Sequence, residues 1–328
     1  MEEKAEEKYL GDIISKDGRN LKNIQARVNK GKGIVRKILN ILEGIPFGKL
    51  FFQVAVLLRN TLLVSSMLCN SEAWVNVTNA ELDLLETIDV MLLRNILNAP
   101  VSTPKEMLFL ELGVQPFREI LRGRRLNFLH YILSQEADSL LLKVFEAQCR
   151  KRTKKDWVSS VLSDLELLEM NVTLAEIQNM RKGKWKNTVK THIAEKSLNY
   201  LNNLKQKHSK VNKLKHQKLI MQPYFLPCER DVSKDEIQLI FQMRSKVTNL
   251  KMNMKGLYDT YECQVCFKLD ESQEHIYSCE EIWNKRKESF SNVPEYENIM
   301  NGNTPQKLEV ARIFKENLKI HTKISKPK

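Results

Sequence analysis

Residues Tyr261–Cys279 read YECQVCFKLDESQEHIYSC. Cys263 and Cys266 form a C-x2-C pair, an eight-residue loop follows, and His275 and Cys279 form H-x3-C. Two thiols separated by two residues can close on one metal from a tight turn. A His and a Cys four apart can face the same ion from one helical turn. Three thiols and one imidazole make the tetrahedral donor set that zinc prefers. A catalytic zinc keeps one position open for water, and here all four would be filled, so the spacing points to one structural zinc ion. Four ordinary buried residues are the competing explanation. Such an ion would pin a short piece that has too little core to fold alone.

Around these ligands the chain is acidic. Asp259, Glu262, Asp270, Glu271, Glu274, Glu280 and Glu281 stand against Lys268 alone. That surface should repel phosphate. The expectation is that the metal staples the fold, or presents rings such as Phe267 and Tyr277 to a base or to a protein partner.

The charge is reversed just upstream. From Arg181 to Lys218 twelve lysines and arginines face Glu195 as the only acid, a net +11 out of +13 for the whole chain. Trp185 and Tyr200 are interleaved, and His192, His208 and His216 add donors. Lysines displace counterions from phosphates and aromatic rings stack on unpaired bases, so the tract reads as a nucleic-acid surface. Two alternatives stay open: the rings pack into the core, or the lysines only keep the surface soluble. A single-sign field this dense repels itself without a partner, which favours a polyanion. Further basic clusters are Arg118, Arg122, Arg124 and Arg125, and the run RKRTKK at 150–155. The arginines suit phosphate through their two-pronged donors; ion pairs with Glu111 and Glu119 are the competing reading.

The 328 residues suggest two or three domains, and 42% hydrophobic content is enough to build real cores. Three of the six cysteines, Cys69, Cys149 and Cys228, are scattered and form no disulfide framework, which fits a nuclear or cytosolic compartment. The charged start MEEKAEEKYL does not read as a secretory signal. The most apolar run, 50–69, carries Gln53, Arg59 and Asn60 and reads as a buried helix, not a membrane span.

Along the chain, YLGDIISKDGRN predicts a short strand and a turn at Asp17-Gly18. Helical spacing predicts a helix over 21–42, with Arg27, Lys30, Lys32, Arg36 and Lys37 on other positions as a solvated face or phosphate contacts. Helices are expected over 80–97, capped by Thr78 or Asn79, and over 104–111, 116–134 and 157–170. The stretch 171–220 reads as helical with a break near Gly183. After a loop holding Pro223 and Pro227 come helices over 234–250, 280–290 and 305–320.

Several stretches in this order resemble the C-terminal part of the reverse transcriptase frames of non-LTR (LINE-type) retrotransposons. Tyr9-Leu10-Gly11 with the apolar pair and turn after it is similar to the strand that follows the catalytic palm. SEAW at Ser71–Trp74, ELG at Glu111–Gly113 and RRLNFLHYIL at Arg124–Leu133 resemble the segments beyond it. The closing C-x2-C…SQEHIYSC resembles the family's cysteine–histidine knuckle. The resemblance implies a helical thumb that grips a primer–template duplex, then a linker and a knuckle that engage RNA or target DNA. It places Tyr9, Leu10 and Gly11 in the primer-grip neighbourhood and Cys263, Cys266, His275 and Cys279 as knuckle ligands. The departure concerns catalysis. Two-metal polymerase chemistry needs paired aspartates, no Asp-Asp pair occurs in the chain, and the palm would lie before residue 1.

These readings combine into a mainly α protein. A residual palm-end hairpin would occupy 1–20, a thumb-like helical bundle 21–149, a basic helical linker 150–222, and a C-terminal helical region 223–328 with the zinc knuckle at 263–279. The expected activity is non-catalytic, sequence-tolerant binding of RNA or DNA. The contacts would come from Arg122, Arg124, Arg125, Lys151, Arg152, Lys154, Lys155, Arg181, Lys182, Lys184, Lys186, Lys205, Lys207, Lys210, Lys213 and Lys215. Alternatives are a zinc-stapled protein-interaction scaffold, or a transposon fossil under no selection.

Overall fold

The computed structural model describes residues 6–9, 11–16, 18–48, 50–151, 153, 156–214, 216–226, 232–253, 258–286 and 293–325. An antiparallel hairpin comes first: β1 (Glu6–Tyr9) pairs with β2 (Asp12–Ser15), with Tyr9 opposite Asp12. The reversal falls at Gly11, whose φ of +93° suits only glycine. The expected strand and the turn after it are present as β2 and its exit at Gly18, and the pairing with β1 is the addition. There the Gly18 N–H donates to Ser15 O at 3.0 Å and leads into the first helix; Leu10 and Asp17 lie outside the described residues.

The rest is mainly helical. α1 (Leu21–Glu43) follows the predicted period and buries Ile24, Val28, Val35 and Ile38. α2 (Phe51–Leu58) continues through a π-helical stretch (Arg59–Val64) into α3 (Ser65–Met67). The widened turn holds Arg59, buried, donating to both Asp89 carboxylate oxygens and, at 2.8 Å, to Gln115 O. α4 (Asn79–Leu97) starts with a capping box in which Thr78 accepts the Glu81 N–H and Glu81 reaches back to the Thr78 N–H. α1 packs along α4 and α3, and Gly31 leaves no room for a side chain between them: a Cβ there would meet Met67 Sδ at 2.8 Å and Ile88 Cγ2 at 2.9 Å.

α5 (Lys105–Leu112) ends at Gly113, φ +65°, and α6 (Phe117–Leu133) follows. A Cβ at Gly113 would lie 2.1 Å from the backbone of Ile220 and Met221, so this glycine lets a distant segment press onto the helix end. α7 (Leu140–Arg150), α8 (Trp157–Leu167), α9 (Leu174–Asn179) and α10 (Lys182–Gln206) come next. The break expected at Gly183 falls at Met180 and Arg181, and α10 stops at Gln206. Beyond it, long-range bonds to Glu111 hold the chain in turns: Gln222 N–H donates to Glu111 O at 2.9 Å. α11 (Lys234–Arg244) ends six residues short of the predicted 250, where Lys246 takes φ +51°. α12 (Gln273–Ser278), α13 (Glu280–Lys285), α14 (Asn298–Asn301) and α15 (Thr304–Ser325) complete the fold.

Two hydrophobic cores result. The larger runs from Ile24 to Phe314 and takes in α1, α4, α5, α11, α15 and Cys263 and Cys279. The smaller gathers Leu126, Leu129 and Ile132 of α6, Phe145, Val158, Val161 and Ile177, and Trp185, Val189 and Ile193 of α10. α6 and α10 each contribute one half to each core, so they tie the two together. They cross closely at Gly123, where a Cβ would sit 2.6 Å from Ile193 Cδ1. No helix of the described residues is long and apolar enough to cross a membrane.

Candidate metal centre and candidate nucleic-acid interface

The knuckle forms from local bonds. Cys263 N–H donates to Leu269 O at 2.8 Å, Phe267 N–H to Cys263 O at 2.9 Å, and Glu271 N–H to Tyr261 O at 2.7 Å. The bridge between Glu262 and Asp270 closes this small loop. Ser272 then caps α12 by accepting the His275 N–H at 3.0 Å. α12 is fastened to α15 by Asn317, whose Nδ2 donates to Ile276 O and Tyr277 O.

Cys263, Cys266, His275 and Cys279 therefore converge. One donor atom from each lies within 4.8 Å of every other. Cys266 Sγ is 3.2 Å from His275 Nε2. Tetrahedral zinc with its usual bond lengths separates its ligands by roughly 3.6–3.8 Å, so the set fits one such ion after small adjustments. Backbone groups prepare the sulfurs. Burial opposes ionisation of Cys266, but the N–H groups of Lys268 and Leu269 outweigh it and hold that thiol below its ordinary value. Burial and neighbouring thiols push Cys263 up to about 11 and Cys279 upward. Burial and nearby His321 hold His275 below the usual histidine range, which favours the neutral imidazole a metal takes.

The expected phosphate contacts separate into two groups. Four of them already bond within the protein, Arg125 and Lys205 buried and Arg122 and Arg124 partly buried, which corrects the sequence reading. Arg125 is buried and donates to both Asp164 oxygens at 2.7 and 2.9 Å. Arg122 bonds Glu119 and lies 3.6 Å from Asp164. Arg124 donates to Leu68 O. Lys205, 1% exposed, donates to Leu214 O. A cation already bonded away from solvent cannot displace counterions from a nucleic acid. Arg118 behaves likewise, bonding Glu86 and Asp83. The aromatics follow: Trp185 is buried with its Nε1 donating to Leu126 O at 3.0 Å, and Tyr200 lies under the Arg118 guanidinium.

Lys151, Arg181, Lys182, Lys184, Lys186, Lys207, Lys210 and Lys213 are exposed. Lys210 reaches Asn253 Oδ1 at 3.1 Å. Arg152, Lys154, Lys155 and Lys215 lie outside the described residues. Lys182, Lys186 and Lys190 recur every four residues and make one row along α10. The first helix offers a second basic face, with Lys32 and Arg36 along one edge and Lys30 and Lys37 along the other. Lys30, Lys32, Arg36 and Lys37 are exposed on the side of α1 turned away from α4, with Gln25, Asn29 and Gly33 between them and no acid. None of these seven cations makes an ion pair among the described residues. Arg27, grouped with them from sequence, is instead buried against Asp12 and Trp74.

Sequence reasoning missed a buried polar cluster around Glu111. Glu111, on α5, is fully buried and accepts from Arg244, His216 and Tyr224 at 2.6–3.2 Å. Burial alone would raise the Glu111 carboxyl, but Arg244 and His216 outweigh it and hold it well below the usual range. Burial, then Glu111 itself, pushes the Tyr224 hydroxyl far up. Lys307, nearby, is pushed down to about 8 by burial and by Arg244. These partners stand 105 to 133 residues from Glu111, and no local pattern announces them. Compared with protein-family models, with curated proteins and with solved structures, the chain matches none.

Proposed function

We propose that the protein binds nucleic acid through its exposed basic helix faces, without strong sequence preference, while one structural zinc ion on Cys263, Cys266, His275 and Cys279 holds its C-terminal part together. The observation that carries this reading is the acid-free exposed face of α1 with Lys30, Lys32, Arg36 and Lys37, together with the separate row Lys182, Lys186 and Lys190 on α10. Unpaired cations of one sign repel each other, and a sugar–phosphate chain relieves that repulsion while releasing counterions. Gly33, with open space where a Cβ would stand, leaves the α1 face low enough for close approach of a backbone.

The test is a titration with single-stranded RNA and with duplex DNA at several salt concentrations. If about six phosphates are neutralised, log K falls with log salt at a slope of about −5 on duplex. Reversing Lys182, Lys186 and Lys190 to glutamate reduces that slope by about 3. A slope near zero for the unaltered protein sinks the proposal. In this reading the chain has no polymerase activity of its own, and nucleotide incorporation by the purified protein would overturn it. The resemblance to retrotransposon reverse transcriptases suggests a template–primer or a target site as the ligand. An in-frame palm with paired aspartates, found in the genome upstream of Met1, would support that narrower assignment.

A further inference from the structure

The turn after Cys266 points outward and carries apolar side chains that no described residue covers. Phe267 is 70% exposed and Leu269 61% exposed. Phe267 also holds a left-handed backbone, φ +55°. A bulky side chain is disfavoured there because its Cβ crowds the following carbonyl. Glycine would complete the same turn without that penalty, and the Phe267 ring gains almost no burial in return. Strain retained without an internal benefit directs attention to what the ring meets outside the molecule.

The charge around the tip says what kind of surface it meets. Glu262 and Asp270 pair across the bridge that flanks the tip, and Asp259 precedes them. All three are exposed, and none forms an ion pair among the described residues. Lys268 is the only cation on the turn. Phosphates would be repelled here, so the occupant carries the opposite charge. We infer that the knuckle tip docks a lysine- or arginine-rich segment of another protein. That segment seats an apolar side chain against Phe267 and Leu269 and sets its cations beside Asp259, Glu262 and Asp270. An apolar centre ringed by charge is the usual construction of a small protein interface: the ring supplies affinity, and the carboxylates supply approach rate and partner choice. The tip uses none of the α1 or α10 cations, so the inference does not depend on nucleic-acid binding.

The experiment uses the full chain loaded with zinc. The probe is a short fluorescein-labelled peptide in which lysine alternates with leucine, followed by fluorescence anisotropy; a glutamate–leucine peptide is the control. The lysine peptide is expected to bind and the control is not. Phe267→Gly weakens binding by about tenfold or more, while Tm stays the same or rises because glycine suits the turn. That pairing separates loss of the surface from loss of the fold. Asp259→Asn with Glu262→Gln and Asp270→Asn weakens binding and flattens its salt dependence. Reversing Lys30, Lys32, Arg36 and Lys37 leaves peptide binding unchanged, so failure here and failure of the nucleic-acid reading are told apart. Absence of binding by the lysine peptide overturns the inference, as does full binding by Phe267→Gly. Two other outcomes also overturn it. Sedimentation that shows self-association abolished by Phe267→Gly puts a second copy on the tip. Single-stranded RNA binding lost in Phe267→Gly makes the ring a base-stacking platform instead.

Discussion

The knuckle takes its four candidate metal ligands from the seventeen residues 263–279, whereas the cluster around Glu111 is assembled from positions up to 133 apart. Both are polar, and both sit against the larger core. They solve the same problem by opposite routes. In the knuckle, a few backbone bonds bring three thiols and an imidazole together, and a metal held there would supply the binding energy. Around Glu111 the counter-charge is built in: Arg244, His216 and Tyr224 satisfy one carboxylate that would otherwise be costly to bury. Melting of the knuckle is therefore expected to reach α12 and α15, which Asn317 ties to it, before any helix further off. Loosening the Glu111 cluster would spread across the fold, because α5, the residues His216 and Tyr224, and α11 all meet at it. The difference separates a local clasp from a global keystone.

Removing the metal should have the largest effect. Zinc-binding energies for such sites are on the order of 10 kcal/mol. Elemental analysis should find close to one zinc per chain, falling toward none in Cys263→Ala. Hydrogen exchange should then accelerate over 262–279, while the far-ultraviolet signal of α1 to α10 persists. A single transition that melts the whole chain on chelation would break the contrast, since the clasp would no longer be local.

Glu111→Gln comes second. It leaves Arg244 as an uncompensated buried cation, at a cost of about 3–5 kcal/mol. Urea denaturation followed by helical signal should show the loss across the whole fold. A change below about 1 kcal/mol would mean that water or a neighbour takes over the carboxylate's role.

A smaller effect follows from acid. The folded Glu111 carboxyl lies well below its ordinary value of 4.5, so the unfolded chain binds more protons in that interval. Its contribution is complete above that value and is lost as pH falls through the folded one, a decline of roughly 2 kcal/mol for a carboxylate held this way. Stability measured between pH 5 and 3 should therefore fall more steeply in the unaltered protein than in Glu111→Gln. Equal slopes would place the acid sensitivity elsewhere.

Thr78→Ala should be the mildest. It removes one half of the α4 capping box, remote in character from both polar centres, and costs about 1 kcal/mol. Zinc content and the acid slope should not change. If either does, the two centres are coupled through α4.

Much of this was legible in advance. The knuckle ligands, the start of α4 at Thr78 and the length of α1 follow from spacing within one or two helical turns, where side-chain direction is fixed by the local period. The arginines of α6 were not. Arg122 and Arg125 present the same residue type whether they hold phosphate or Asp164, and only the arrival of α8 decides. Lys205 looked like part of the basic tract until the turn carrying Leu214 folded over it. The early end of α10 goes with another long-range contact: beyond Gln206, His216 and Gln222 bond Glu111.

The amino-acid order alone determined the helical character, the four-ligand set and the separation of an acidic finger from a basic tract. Each of those rests on neighbours a few residues apart, whose geometry is set by backbone period and turn chemistry. Which cations face solvent, which carboxylates are buried, and that Phe267 stands uncovered were decided only when distant segments met. Burial and charge pairing are properties of contacts across the chain, and a residue's type does not record which partner it will reach.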